Sequence, residues 1–319
     1  MTLSRTSQAA HWEAYWGAAS GRRAALSGDA PGDLFDEIWR IFLAEALSVR
    51  ETPSLLDLAC GAGVILGRAL EIAGASTAVN DARFIGLDYA GSAAAAVARK
   101  KPPKNAAIHG VAASAAELPF ADGAFDIVIS QFGIEYAGMN AFSEAARMLA
   151  PGGAMQFIMH FKGGGIDREC SENARVLAAI LQQGLFDVAM EAIRGPDHDG
   201  AADKLKTGFA ALKPCLEGER VAAKEMLARL LGDVSQLVSR RQAYAPAEAL
   251  GWCEAMRAEV MLYEGRMRAM TQSALDNVGV KEARDRLASC GANMAAPEVL
   301  TPKGKTAPAA WLLKTESPA

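Results

Sequence analysis

SLLDLACGAGVILGRALE, residues 54–71, decides how the chain is read. Ser54 to Leu58 is a short apolar run after Pro53, with the length of a buried strand. Gly61 and Gly63 then supply the backbone freedom that a tight reversal, or a ligand lying against the main chain, requires. From Val64 apolar residues recur at helical spacing through Leu66, Ala69, Leu70 and Ala73. A helix opening just after such a loop aims unpaired N–H groups and its positive dipole end at whatever the loop holds. A glycine pair alone carries little weight, so the neighbouring segments must say whether the loop holds anything.

Working outward, strand-like and helix-like segments alternate over residues 54–162. FIGLDYA (84–90), AAIHGVAA (106–113), FDIVISQF (125–132) and AMQFIMHFK (154–162) read as further strands. The alanine-rich GSAAAAVARKK and the segment NAFSEAARMLAPGG, stopped by Pro151 and two glycines, read as helices between them. Such alternation predicts a doubly wound, mostly parallel α/β sheet with helices on both faces. Ligands of such sheets bind at the carboxyl ends of the strands, which gathers Gly61, Asp88, Gln131 and His160.

Residues 163–288 change to helical periodicity alone. SENARVLAAILQQGLFDVAMEAI, RVAAKEMLARLLGDVSQLVSRR and the long segment opened by Pro246 carry apolar residues three and four apart. VKEARDRLAS is a shorter helix closed by Gly291. NMAAPEVL and AAWLLKTES return to strand character, so the helical block reads as an insertion before the last two strands of one seven-stranded sheet. The expected organisation is an N-terminal helical cover over 1–50, an α/β core over 51–165, a helical lid over 166–289 and a final strand pair over 290–319.

The chain has 319 residues, 51% of them hydrophobic and 22% charged, with a formal net charge of -4. Mild acidity gives no electrostatic case for nucleic acid or an anionic membrane as partner. No apolar run is read as approaching the ~20 residues of a membrane span. The N-terminal MTLSRTSQAAHWEAYW lacks the apolar core of a signal peptide, so a cytoplasmic protein is expected. Five scattered cysteines, Cys60, Cys170, Cys215, Cys253 and Cys290, read as reduced thiols and not as disulfides or a metal cluster. GPDHDG (195–200) lacks metal-ligand spacing and reads as a solvated loop, so no metal is expected.

With D-x-A-C-G-x-G at Asp57–Gly63, Asp88 closing the second strand and AELPFADGAFDIVISQFGIEY further on, the chain resembles the class I S-adenosylmethionine-dependent methyltransferases. Their small-molecule branch reads LDLGCGTG, then GxD, then ELPFxDxxFDxVxS, in this order. The resemblance covers about residues 50–162 and the final strand pair, with no match over 163–288. It implies that Asp57 and the Gly61–Gly63 backbone lie beneath the methionine portion of the donor. Asp88 would hold the ribose hydroxyls and Tyr89 would flank the adenine. Ser114 stands where the family often has an aspartate, with the Ala115 and Ala116 N–H groups as partial replacements. Ala59 takes the place of the first loop glycine, and Gln131 and Phe132 would sit beside the sulfonium. The resemblance further implies an N-terminal helix folded over the donor, which brings Tyr15 to the methionine carboxylate and Trp12 or Trp16 to the mouth. A nicotinamide dinucleotide, the competing ligand, wants a third glycine where this chain has Leu66.

The donor motifs say little about the acceptor. Glu135, Tyr136 and His160 follow the fourth and fifth strands and are the candidate catalytic residues. His160 is the candidate base, with Glu135 as its orienting partner or an amine ligand; a structural hydrogen-bonded pair is the alternative. On the long helix Met256, Met261, Met267 and Met270, with Tyr263, Arg266 and Arg268, serve an adaptable pocket, the core or a homodimer seam, the last two favoured. The reading is methyl transfer to a small-molecule acceptor, releasing S-adenosylhomocysteine. Aminocarboxypropyl transfer, cyclisation of the donor to methylthioadenosine, and a non-catalytic sensor are the alternatives.

Overall fold

The computed structural model describes residues 5–18, 34–195, 198–219 and 221–316. Seven strands, β1 (Ser54–Leu58), β2 (Ala82–Asp88), β3 (Ala106–Ala112), β4 (Phe125–Gln131), β5 (Leu149–His160), β6 (Glu298–Leu300) and β7 (Ala310–Lys314), form one sheet in the order β3-β2-β1-β4-β5-β7-β6. β1 to β5 are mutually parallel, and β7 runs antiparallel between β5 and β6. The doubly wound, Rossmann-like sheet expected from the alternating segments is the one found. Pairing reverses at β1, which is flanked by β2 and β4, so the loop after β1 stands at the topological switch point.

Side-chain alternation sorts the strands into two cores. Leu55, Phe84, Ile127, Ile129 and Ile158 pack on one face with Trp39 and Leu43 of α2 (Leu34–Ser48) and Leu66 and Leu70 of α3 (Val64–Ala75). Leu56, Leu58, Val128, Phe157 and Met159 pack on the other with Phe142 of α5 (Met139–Met148) and Val280, Ala283 and Leu287 of α11 (Asn277–Ser289). Two buried faces are what a parallel sheet requires, and the period-two split of consecutive apolar residues supplies them.

Several boundaries differ from the sequence reading, each for a local reason. β5 begins at Leu149, five residues early, and takes Pro151 and Gly152 into a register irregularity against β4. NMAAPEVL keeps only Glu298–Leu300 as strand, because Pro297 has no N–H for a ladder. The helix expected over 171–193 is two, α6 (Gly165–Gln182) and α7 (Leu185–Arg194), separated by Gly184 in the left-handed region at φ 60°. Taken together, Gly165–Arg194 reaches the length and apolar content of a membrane-crossing helix, against the sequence reading, with nearly half of its most apolar stretch buried within the protein. GPDHDG is not wholly a loop: α8 (His198–Leu212) opens within it, while Pro196 and Asp197 lie outside the described residues.

The chain divides into two compact units, Met1–Asp167 with Gln272–Ala319, and Arg168–Thr271. The sheet, both cores and α11 belong to the first. The second is helical: Leu177, Phe186, Leu227, Leu230 and Val234 are buried on α6, α7 and α9 (Ala222–Ser239). A buried lysine, Lys224, is held there by Glu172 at 2.8 Å and by the carbonyls of Glu217 and Glu219. On α10 (Pro246–Ser273) the methionine stripe splits, Met267 and Met270 buried and Met261 half exposed.

Candidate functional site

The loop after β1 is shaped by its own backbone. Ala59 and Gly61 both sit at φ 51°, and Gly63 at φ 69° begins α3. Residue 59 adopts the left-handed region despite its Cβ, which marks a strained turn held by its surroundings. The Gly61 N–H donates to Asp88 Oδ2 at 2.9 Å, and the Ala90 N–H donates to Asp88 Oδ1 at 2.8 Å. The end of β2 is thereby tied to the loop after β1, with the Asp88 carboxylate in the wall of a cavity.

That cavity, about 340 Å³, lies at the carboxyl ends of β1, β2 and β4. Leu87, Asp88, Tyr89 and the run Ser114–Ala116 line one part of it. Ala59, Phe132, Gly133 and Tyr136–Gly138 line another, and Trp12 and Trp16 of α1 (Arg5–Ala18) complete it. Helix α1 is clasped there by Glu13, whose carboxylate accepts from the Ser92 N–H at 3.2 Å, in the first turn of α4 (Gly91–Ala98). The Trp12 ring meets Tyr136 edge to face at 5.4 Å between centroids.

Of the expected donor residues, Ala59, Asp88, Tyr89, Ser114, Ala115, Ala116 and Phe132 are brought together in this wall. Asp57 is buried beneath the loop, and its Oδ2 has no hydrogen-bond partner. Gly61 faces Trp16, and the open side of Gly63 faces Val97 and Lys100. Tyr15 packs against Trp12 and Trp16, with ring centroids 6.0 and 4.8 Å away, and does not line the cavity. The Gln131 side chain turns to the other face of the sheet, where the Trp39 indole N–H donates to it. The Ala116 N–H is engaged by Ser114 Oγ at 3.2 Å, so of the two expected replacements only that of Ala115 keeps its place.

Trp12 and Trp16, expected at the mouth, are both wall residues, while Gly133 and Ala137–Gly138 were not anticipated there. In HWEAYW residues 12 and 16 are one helical turn apart and share a face, and both rings reach the wall.

Charge at the site favours a cationic ligand. Burial, and then the neighbouring Asp88 carboxylate, push the Asp57 carboxyl well above the usual range, with Lys100 opposing. Burial likewise raises Asp88, against the lowering effect of the Ala90 and Gly61 N–H groups. Two crowded, desolvated carboxylates gain from any positive charge brought among them. S-Adenosylmethionine carries a sulfonium and an ammonium against one carboxylate, so the residues present fit it.

The candidate catalytic residues cluster at the same end of the sheet. His160 Nδ1 lies 2.7 Å from Glu135 Oε1, which also accepts the His160 backbone N–H at 3.1 Å. The imidazole packs behind Phe132, at 4.5 Å between ring centroids, and Tyr136, at 5.8 Å. Among the described residues no group of three or more His, Cys, Asp or Glu side chains is arranged to hold a metal ion.

Residues 56–157 match the family model described as "Methyltransferase domain". Similar curated proteins include a demethylmenaquinone methyltransferase of Beutenbergia cavernae, 31% identical over 42% of this chain and 52% of its own length. A ubiquinone/menaquinone biosynthesis C-methyltransferase of Methylobacterium nodulans is 34% identical over 46% of this chain and 59% of its own. The chain thus spans a little over half the length of these relatives. Among solved structures, the YcgJ protein of Bacillus subtilis aligns over 67% of this chain and 86% of its own, with 16% identity and a TM-score of 0.33.

Proposed function

We propose that this chain, whose α/β core is a class I S-adenosylmethionine-dependent methyltransferase domain, moves the donor's methyl group to a small-molecule acceptor. The observation that carries the reading is the Asp88 carboxylate, buried, tied to the loop by the Gly61 N–H and set in the cavity wall. A carboxylate at the end of the second strand offers acceptor oxygens to a pair of ribose hydroxyls, and Leu87 and the Ser114–Ala116 run give a flat base small side chains to lie against. When bound, the donor supplies an electrophilic methyl on a positively charged sulfur. The chain's own contribution is to hold the two reactants in line in the cavity that Trp12 and Trp16 of α1 complete.

The acceptor in this reading is a flat, uncharged ring. Trp12, Phe132 and Tyr136 face the cavity without a cationic side chain among the lining residues to recruit a carboxylate or phosphate. Two of the relatives above are named as a demethylmenaquinone methyltransferase and a ubiquinone/menaquinone biosynthesis C-methyltransferase, which supports an acceptor ring of that type. The helical unit Arg168–Thr271 lies outside the matched residues 56–157.

The test is mass spectrometry after incubation with methyl-labelled S-adenosylmethionine, with and without a metabolite extract or reduced demethylmenaquinone. S-Adenosylhomocysteine and a labelled product that appear only with an acceptor are expected. Methylthioadenosine formed without acceptor, faster than the donor decays alone, would overturn the reading in favour of cyclisation.

A further inference from the structure

Glu135 is an unusual residue to bury. It follows β4 in the short 3-10 segment Ile134–Ala137, its side chain has no exposed surface, and among the described residues no lysine or arginine pairs with it. Its Oε1 receives both hydrogen bonds from His160, and its Oε2 has no partner. Leaving a carboxylate oxygen buried and unpaired costs free energy that an apolar residue at this position would not. The contact of Glu135 with His160 Nδ1 puts the carboxylate where it orients the imidazole. The hydrogen bond also fixes the tautomer: Nδ1 donates to the carboxylate, and Nε2 keeps its lone pair.

We propose that Glu135 and His160 form a proton-accepting pair for an acceptor that carries a phenol-type hydroxyl. In this step the acceptor's O–H bond breaks, its electron pair stays on oxygen, and a new N–H bond forms at His160 Nε2, directly or through one water. Glu135 keeps its charge and stabilises the imidazolium, which afterwards returns the proton to solvent. The oxygen, or a ring carbon conjugated with it, is then the nucleophile. His160 and Glu135 do not themselves line the cavity; the imidazole packs against Phe132 and Tyr136, both in its wall, which puts the pair one ring away from it. Contacts of a general base are commonly long before the substrate is bound and tighten in the complex. The inference rests on the donor reading above and adds a substrate requirement, a removable proton, which excludes tertiary amines and thioethers as acceptors.

The experiment adds 4-nitrophenol, a chromophoric phenol, to the protein saturated with S-adenosylhomocysteine, at a pH where the free phenol is protonated. The wild type should produce the phenolate absorbance band. Glu135→Gln preserves an oxygen for the His160 backbone N–H but removes the charge. It should reduce the phenolate fraction by about tenfold or more, as should His160→Gln, with S-adenosylhomocysteine affinity and thermal midpoint close to wild type. A merely structural pair would leave the band unchanged in Glu135→Gln. That result overturns the proposal, and so does a wild type that binds the phenol without ionising it or does not bind it at all. Should S-adenosylhomocysteine itself fail to bind the wild type, the donor reading falls and takes this one with it.

Discussion

The Trp16 indole occupies the space that a side chain at residue 61 would need: a Cβ there would lie 2.4 Å from Cζ2 of the ring. The loop and the N-terminal helix are therefore fitted to each other through the absence of one atom. Gly61 also holds φ 51°, where a side chain costs about 1–2 kcal/mol. Gly61→Ala is expected to weaken S-adenosylmethionine binding by about tenfold or more and to lower the thermal midpoint. Adding Trp16→Ala should recover part of the lost stability, because the steric conflict goes while the backbone cost remains. A double-mutant cycle by calorimetry reads the coupling, and independent effects of the two changes would mean that the indole is not seated on residue 61.

Asp88 makes a second test of the donor site. It spends one lone pair of each carboxylate oxygen on a backbone N–H, from Gly61 and from Ala90, and keeps the others for a ligand. Asp88→Asn keeps the shape but replaces one acceptor oxygen by a donor. Hydrogen bonds to charged groups are worth about 1.5–3 kcal/mol, so affinity for S-adenosylmethionine should fall by about 10- to 100-fold. Unchanged affinity in titration calorimetry would remove Asp88 from the site.

Glu172 tests the helical unit. Its carboxyl is lowered to about 2, first by the hydrogen bond from Arg175 and also by Lys224, whose side chain is only 7% exposed. A carboxyl lowered by folding contributes stability that is complete above its unfolded pKa of about 4.3 and is lost as pH falls toward the folded value. Glu172 is itself more than a quarter exposed, so solvent screening limits the contribution to about 1–2 kcal/mol. Glu172→Gln should lower the thermal midpoint by a few degrees at pH 7, and the difference from wild type should shrink between about pH 4 and pH 2. A difference independent of pH would mean packing, not charge, holds this residue.

The strands and the donor loop were legible because each rests on local rules. Period-two alternation sends Leu55 and Leu56 to opposite cores, and glycine at 61 and 63 meets a backbone demand written into those positions. Side-chain direction was less legible where it depends on a partner far along the chain. Gln131 points away from the cavity because Trp39, 92 residues earlier, supplies a donor on the other face. Ser114 turned back on its own segment and took the Ala116 N–H that a ligand was expected to use. The Glu135–His160 contact joins residues 25 apart, and only the parallel pairing of β4 with β5 brings the ends of those strands together. Helix α8 escaped notice because its first turn, HDGA, reads as a turn by composition.

Asp57 gives a prediction in which stability and binding move in opposite directions. Burial raises its carboxyl well above the unfolded value, so the native chain holds that proton more tightly than the unfolded chain. The sign follows: this group's contribution is fully present below about pH 3.9 and is lost as pH rises through the raised folded pKa, so its ionised form is a cost at neutral pH. A bound cation offsets that cost, which makes Asp57 part of the reason a sulfonium and an ammonium are welcome beside Asp88. Asp57→Asn removes the buried charge. At pH 7 it should raise the thermal midpoint of the ligand-free protein by a few degrees, for about 1 kcal/mol, and the gain should vanish in acid. The same variant should bind S-adenosylmethionine more weakly and gain less stability from saturating ligand. Midpoints measured with and without ligand across pH separate the two effects; a variant less stable than wild type at pH 7 would show that Asp57 is held by contacts its charge makes and not merely tolerated for the ligand.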